Sequence, residues 1–381
     1  MTRVAPMPVT SLVRVQGGRF VRGGPADTGL GSGPFVPRGV GSYPLLDHSG
    51  RGRVQHVRDV FAQARDLDRP LVRTHAFFDG GDSPARLRNA DGTPHEPGLR
   101  ALDGVLAEAR AHGVQLLLPV ANHWPDYGGA RAVAGMVLGA SRAAADPDAF
   151  YLDPRCVRAQ QVHIEALMGR VNHLTGVRYG DDPTVFAWEL ANEPRLSRAP
   201  RARLRRLVQP SRRLGPALAA WAVAMRRAFD AGGAQQLVGW GGSGHRGTHG
   251  EDMEPVLASG AVDFATLHLY PFATHPALLR RVPWDARASA AVGVGRAILA
   301  DRAALAARYG LPLLVEELGW KTGAHTLGCE RLQVMRGLLQ AARELSVGTL
   351  PWMIAERGRA DYDGLVIRPE HAALWDLLRA A

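Results

Sequence analysis

Two glutamates stand out by where they fall in the chain. Glu193 ends Phe186-Ala187-Trp188-Glu189-Leu190-Ala191-Asn192-Glu193, ahead of Pro194-Arg195, and Glu317 ends Leu313-Leu314-Val315-Glu316-Glu317, ahead of Leu318-Gly319-Trp320. Each follows a short apolar run of strand length and precedes a loop. Carboxylates at the C-terminal ends of two different parallel strands can share a displacement at the anomeric carbon of a sugar. One gives a proton to the departing oxygen, and the other attacks from the opposite side.

Positioning such a pair requires a parallel sheet, and the chain alternates apolar runs with helical stretches in the way a parallel sheet demands. Strands are expected at 35–40, 71–77, 114–120, 185–192, 237–240, 264–269, 313–317 and 349–354. Helices are expected at 99–112, 154–174, around 217–229, at 292–309 and at 330–344. Eight β/α units make the expected fold an α/β (β/α)8 TIM barrel, with residues 1–381 forming one catalytic domain. No linker or composition break suggests a second domain. Along a strand, side chains alternate, so Glu189, Ala191 and Glu193 should share a face, as should Val315 and Glu317, His268 and Tyr270, and Arg73 and His75. Glu316 should then point the other way, into the helical layer, where a salt bridge is its ordinary role. Glu189 reads as a paired charge inside the barrel, and Trp188 and Trp221 as packing residues.

Bulk properties exclude several other classes. A chain of 381 residues with 46% hydrophobic content can bury a large core. No apolar run reaches membrane-spanning length, so no membrane partner is expected. The first twenty residues lack an apolar segment of signal-peptide length, which favours a cytoplasmic location, or a secreted one if a leader has been removed. The net charge of +10 is nearly all arginine, Lys321 being the only lysine. Its densest run, from Arg195 through Arg198, Arg201, Arg203, Arg205, Arg206, Arg212 and Arg213, lacks interleaved aromatics. It reads as a solvated face, and no nucleic-acid partner is expected. Cys156 and Cys329 read as buried thiols, in no metal-type spacing. His245 and His249 are embedded in glycines, so a helical ligand pair is not expected there, and neither metal nor cofactor is expected. The GxGxxG run Gly239–Gly244 is followed by more glycine rather than by a helix, and so reads as a loop lining the cleft.

Four stretches carry a family resemblance. Arg73-Thr74-His75-Ala76-Phe77-Phe78-Asp79-Gly80 resembles the motif RTWAFSDG. Ala121-Asn122-His123-Trp124-Pro125-Asp126-Tyr127-Gly128-Gly129 resembles VNNWDDYGG. Trp188 to Arg195 is nearly WELANEPR, and Asp263 to Pro271 resembles DFATIHIYP. Tyr362-Asp363-Gly364 fits a segment that follows the barrel. In order and on the expected strands, these resemble glycoside hydrolase family 5, in a clan of retaining barrel enzymes, and most of all its β-mannanase branch.

The resemblance implies a retaining hydrolase of β-1,4-mannosidic bonds in mannan or manno-oligosaccharides, with Glu193 as acid/base and Glu317 as nucleophile. Glu193 should sit in apolar surroundings near a negative neighbour, so as to stay protonated. Arg73 and Tyr270 should keep Glu317 ionised, and His268 should orient Glu193. Asn192 is expected on the sugar 2-hydroxyl, with Asn122 among the substrate-binding residues. Trp352 is expected to stack on the sugar, and Trp124 and Trp320 to add platforms. Departures from the pattern, at His75, His123, Pro125 and Phe272-Ala273-Thr274-His275-Pro276, flank the distal subsites. They keep open an exo-acting β-mannosidase, a β-1,4-glucanase and a non-catalytic carbohydrate-binding barrel.

Overall fold

The computed structural model describes residues 11–22, 33–197, 211–244, 252–274, 279, 281–322 and 331–381. Cys329, His245, His249 and the arginines from Arg198 to Arg206 lie outside these residues, as do the side chains of Arg212 and Arg213. Three short strands come first: β1 (Val13–Gln16), β2 (Arg19–Arg22) and β3 (Gly33–Phe35), paired antiparallel. Eight parallel strands follow: β4 (Gly39–Gly41), β5 (Leu71–Arg73), β6 (Gln115–Pro119), β7 (Val185–Glu189), β8 (Leu237–Gly239), β9 (Ala265–Leu269), β10 (Leu313–Leu318) and β11 (Gly348–Pro351). Neighbours pair in chain order from β4 to β8 and from β9 to β11. Parallel bridges Gly239↔Phe264 and Arg38↔Thr349 join these two arcs, so the sheet closes into the expected eight-stranded barrel.

Most barrel strands are buried along their whole length, as a sheet covered on both faces requires. Val72, Leu116, Leu118, Trp188, Val238, Leu267 and Val315 point outward into the layer of helices, and Trp221 packs there too. Leu71, Leu117, Phe186, Leu237, Phe264, Leu314 and Leu350 fill the inside of the barrel floor. The hairpin β1–β2 closes that floor from below. Phe20 enters it with ring centroids 5.5 Å from both Phe186 and Phe264.

The sequence places a single strand at 35–40, and the structure divides it. Phe35 ends the antiparallel cap, and the barrel begins only at Gly39. Gly17 and Gly18 both have positive φ and turn the hairpin, which lies outside the elements expected from sequence. The helix expected over 154–174 ends at Gly169. Arg170 takes an extended conformation there, and Arg170, His173 and Tyr179 all converge on the buried carboxylate of Asp103. The other expected helices appear as Glu96–Ala111, Ser211–Ala231, Arg287–Arg308 and Arg331–Glu344.

Candidate active site

The C-terminal ends of the barrel strands open into a cleft of about 890 Å³ that contains Glu193, Glu317, Asn122, Asn192, Trp124, Tyr270 and Trp352. Arg73, at the end of β5, lies beneath them and is almost wholly buried. Its Nη1 donates to Glu317 Oε1 at 2.7 Å, its Nη2 to Asn192 Oδ1 at 2.9 Å, and its Nε to Glu189 Oε2 at 3.0 Å. One guanidinium thus braces three side chains from two strands, which its planar fork of donors allows. Because arginine can only donate, the Asn192 oxygen must face it. Asn192 Nδ2 then donates to Asn122 Oδ1 at 3.0 Å, and its second hydrogen is left for the cleft. Asn122 is held by its own donation to the Asp126 carbonyl.

Glu193 is placed by a turn. β7 ends at Glu189, and Ala191 then packs into the outer core rather than sharing the inward face of Glu189. The Asn192 amide donates to the Ala121 carbonyl and the Glu193 amide to the Gly241 carbonyl, both at 2.8 Å, with Glu193 at φ +48°. Such a left-handed backbone is uncommon for a residue with a Cβ. Gly241 backs this turn, since a Cβ there would lie 2.0 Å from the Ala191 carbonyl. The described part of the glycine run therefore supports Glu193 from behind, and is not among the residues lining the cleft.

A β-bulge corrects the expectation for Glu316. Val315 pairs with Leu267 and Glu317 with His268, so Glu316 is an extra residue in β10. Alternation holds only along an unbroken ladder. Val315 faces the helices, while Glu316 turns inward with Glu317 and is fully buried. Glu316 Oε2 lies 3.4 Å from His268 Nε2 and 3.9 Å from Arg73 Nε.

Electrostatics separate the two glutamates of the cleft. Glu317 takes the Arg73 bond on one oxygen and accepts from Tyr270 Oη at 2.6 Å on the other. Glu193 Oε1 lies 2.8 Å from His268 Nδ1, and its Oε2 accepts from Trp124 Nε1 at 2.7 Å. Burial alone would raise Glu193. The His268 hydrogen bond and charge, the Trp124 donor and the Arg195 charge outweigh it and bring the carboxyl down to about 2. The surroundings of Glu193 are therefore polar rather than the expected apolar ones, with Glu317 present as the expected negative neighbour. On His268, burial opposes the charge but Glu317, Glu193 and Glu316 together raise the imidazole to about 10, so Glu193 and His268 hold a proton between them. Glu189 is pushed well above the carboxylate range by burial, which Arg73 only partly offsets, and by the adjacent Glu316. Its Oε2 lies 2.9 Å from Arg73 Nη2, the pairing inside the barrel that the sequence led one to expect.

Trp352, Tyr43 and His75 build one wall. The Tyr43 ring stacks on His75 at 5.6 Å and on Trp352 at 6.0 Å, and Trp352 packs so close to Gly41 that a Cβ there would meet its ring at 2.3 Å. Trp124 stands at the rim, with the Arg195 guanidinium 4.6 Å over its ring. Its indole N–H serves Glu193, so its contribution is more than a platform. Trp320 is not in the cleft. Two residues past the bulged strand it enters the outer core, is fully buried, and meets Phe272 edge-on at 5.7 Å. Phe272 is the ring that reaches the cleft.

Sequence reasoning assigned no site role to Tyr43, Tyr127, Phe272, Lys321 or Tyr362, all of which line the cleft. Tyr127, Phe272 and Tyr362 carried a signal, within the second motif, the stretch that departs from the family pattern after Pro271 and Tyr362-Asp363-Gly364 respectively, whereas Tyr43 and Lys321 carried none. Among the described residues, Glu193, His268 and Glu317 also form one of two groups able to hold a cation. His268 and Arg73 already supply positive charge there.

A family model described as GH family 5 β-mannosidase-like matches residues 79–337. The chain is 34% identical over 332 residues to a putative mannan endo-1,4-β-mannosidase 5 of Oryza sativa subsp. japonica, covering 82% of this chain and 61% of the relative. It is 34% identical over 297 residues to mannan endo-1,4-β-mannosidase 3 of the same plant, covering 73% of this chain and 59% of the relative. The chain thus spans about three fifths of the length of these relatives. The crystal structure of an endo-β-1,4-mannanase from Thermotoga petrophila superposes with a TM-score of 0.75 at 25% identity, over 91% of this chain and 76% of that one.

Proposed function

The chain belongs to glycoside hydrolase family 5, in its β-mannosidase-like group, and on that premise we propose that it hydrolyses β-1,4-mannosidic bonds of mannan or manno-oligosaccharides with retention of configuration. One observation carries the mechanism: a carboxylate oxygen of Glu193 and one of Glu317 lie within 4.8 Å of each other and of a His268 nitrogen. A retaining pair stands about 5–5.5 Å apart, whereas an inverting pair needs roughly 6.5–9.5 Å to admit a water molecule.

Glu317 is the nucleophile. Arg73 and Tyr270 hold its carboxylate in one orientation, and its attack forms a bond to the anomeric carbon as the glycosidic oxygen leaves. Glu193 delivers the proton to that oxygen, drawing on the proton it shares with His268. Esterification removes the negative charge of Glu317, the foremost charge stabilising the His268 cation. The Glu193–His268 pair is then left to take the proton of the attacking water, and the second displacement restores the first configuration. The remaining N–H of Asn192 points to the sugar 2-hydroxyl, a contact that strengthens as oxocarbenium character develops. Trp352 offers the stacking face.

The mannan preference and the endo mode of cleavage rest on the relatives, which carry the name mannan endo-1,4-β-mannosidase. Mannan, manno-oligosaccharides of graded length and cellulose are incubated with the enzyme and the products separated by chromatography. Oligosaccharides of mixed length from mannan, appearing first as the β-anomer by NMR, are expected. Release of mannose alone from chain ends would give the exo reading, and preferential attack on cellulose the glucanase reading. A first-formed α-anomer excludes retention, and no release from any glycan makes the barrel a binding protein.

A further inference from the structure

The helices Leu45–Gly50 and Val54–Asp66 and the loop after β11 bring together His48, His56 and Glu356, which the reaction above does not use. The chain turns tightly between the two helices. The Arg53 amide donates to the His48 carbonyl at 2.8 Å, and the His56 amide to the Arg53 carbonyl at 3.0 Å. That turn sets the two imidazoles edge to face, with centroids 4.8 Å apart and planes at 84°. Glu356 arrives from near the other end of the chain. Arg359 Nη1 donates to its Oε1 at 3.2 Å, while its Oε2 lies 3.1 Å from His48 Nε2.

One ligand atom from each of the three residues falls within 4.8 Å of the other two. His48 is 4% exposed and Glu356 6%. Even so, both ring nitrogens of His48, Nδ1 of His56 and Oε2 of Glu356 are buried without a well-aligned hydrogen bond. His48 Nε2 and Glu356 Oε2 have each other at 3.1 Å, which leaves His48 Nδ1 and His56 Nδ1 as the buried ring nitrogens without a partner, a costly state unless a ligand uses one of them. Asp59, one turn beyond His56, is already committed: its Oδ2 accepts from the Arg357 amide at 2.8 Å and from Gln63 Nε2 at 3.3 Å.

We infer that His48, His56 and Glu356 form a binding site for one divalent transition-metal ion, Zn²⁺ being the best match to two imidazoles and a carboxylate. Three protein ligands leave a fourth, tetrahedral position for water. The half-buried His56 gives the ion a way in from solvent. Zinc bonds of about 2.0–2.2 Å draw the three groups slightly closer on binding. The ion clamps the first two helices to the loop that begins at Trp352 and continues to Tyr362, and so supports one wall of the cleft. No linear spacing announces this set, because its members come from two helices and a distant loop; the sequence led to the expectation of no metal.

The competing arrangement is a plain His48–Glu356 ion pair with His56 packed against it. Zinc is titrated by equilibrium dialysis into the chelator-stripped protein, and Tm is followed in parallel. The wild type should bind one zinc per chain with a rise in Tm. His56→Ala keeps the His48–Glu356 contact and should match the stripped wild type in Tm without zinc. It should bind zinc at least about a hundredfold more weakly, as should Glu356→Gln, and neither should gain Tm. Glu317→Ala, which depletes the other cation-capable cluster, should still bind one zinc at this site. Absence of stoichiometric zinc on the folded wild type, unchanged affinity in His56→Ala, or loss only in Glu317→Ala overturns the inference.

Discussion

At the residue scale, the two carboxylates differ in what holds them, and that difference predicts separate phenotypes. Glu317→Ala should abolish turnover on every substrate, because no glycosyl-enzyme can form. Glu193→Ala should lower turnover of mannan by roughly 10²–10⁴-fold, yet largely spare the first step with an activated aryl mannoside, whose leaving group needs little protonation. Added azide should give the β-azide from Glu193→Ala and the α-azide from Glu317→Ala, read by NMR. The reverse products would exchange the two roles. Glu316→Ala also removes a buried partner of His268, so loss of activity there is uninformative without the azide stereochemistry. The Glu193–His268 pair further predicts a pH dependence. His268 rises from 6.5 to about 10 on folding, so its stabilisation is complete below pH 6.5 and fades as pH climbs through about 10. Glu193 falls from 4.5 to about 2, so its stabilisation is complete above pH 4.5 and fades as pH drops toward about 2. The urea midpoint of wild type should exceed that of His268→Gln most between these limits, with the gap narrowing above pH 6.5. A gap that stays constant up to about pH 10 would remove His268 from the list of folded-state cations.

At the scale of elements, the site depends on two breaks in regular structure: the bulge in β10 and the left-handed turn after β7. Gly241 is where the turn has least room, at φ +72° with the Ala191 carbonyl directly beneath. Gly310 has a similar φ of +68° but open space around its Cα, so it isolates the cost of conformation alone. Gly310→Ala should cost about 1–2 kcal/mol of stability and leave kcat unchanged. Gly241→Ala should cost more and reduce kcat as well, because relieving the clash moves the turn that carries Glu193. Denaturation curves and kinetics on the two variants side by side decide this. Equal stability losses with full activity would mean that the turn adapts without shifting the carboxylate.

For the whole molecule, the barrel separates stability from chemistry along its axis. The floor is hydrocarbon, closed by the hairpin through Phe20, and the mouth is a charged network around Arg73. Phe20→Ala removes a buried ring that touches Phe186 and Phe264, and should destabilise the protein by about 3–5 kcal/mol. Because that ring belongs to the end of the barrel away from the cleft, kcat at moderate temperature should be unchanged. Urea denaturation and initial rates on one preparation test both halves of the statement. A large loss of kcat in a folded Phe20→Ala protein would mean that the floor positions the mouth. Among the described residues, no helix is long and apolar enough to cross a membrane.

The eight parallel strands, and the pair Glu193 and Glu317 at two of their ends, were legible in the chain because buried strands write themselves as short apolar runs, and a carboxylate that closes such a run is conspicuous. Arg73, Asn192, His268 and Tyr270 were legible through the motifs that resemble the family, each lying near a strand end. Alternation failed at Glu316 and Ala191, where a bulge and a turn end the two-residue period, and local pattern contains no term for either. Trp320 looked like a platform until the core claimed its ring, while Tyr43 and Lys321 reach the cleft from loops and Phe272 from the short helix Pro271–Thr274, whose directions are set by what they pack against. The charge state of the Glu193–His268 pair, the placement of Glu316 beside Arg73 and the meeting of His48, His56 and Glu356 depend on distances between segments far apart in the chain. Only the closed barrel brings those segments within a few ångströms, where Coulomb energies and lone pairs begin to decide the chemistry.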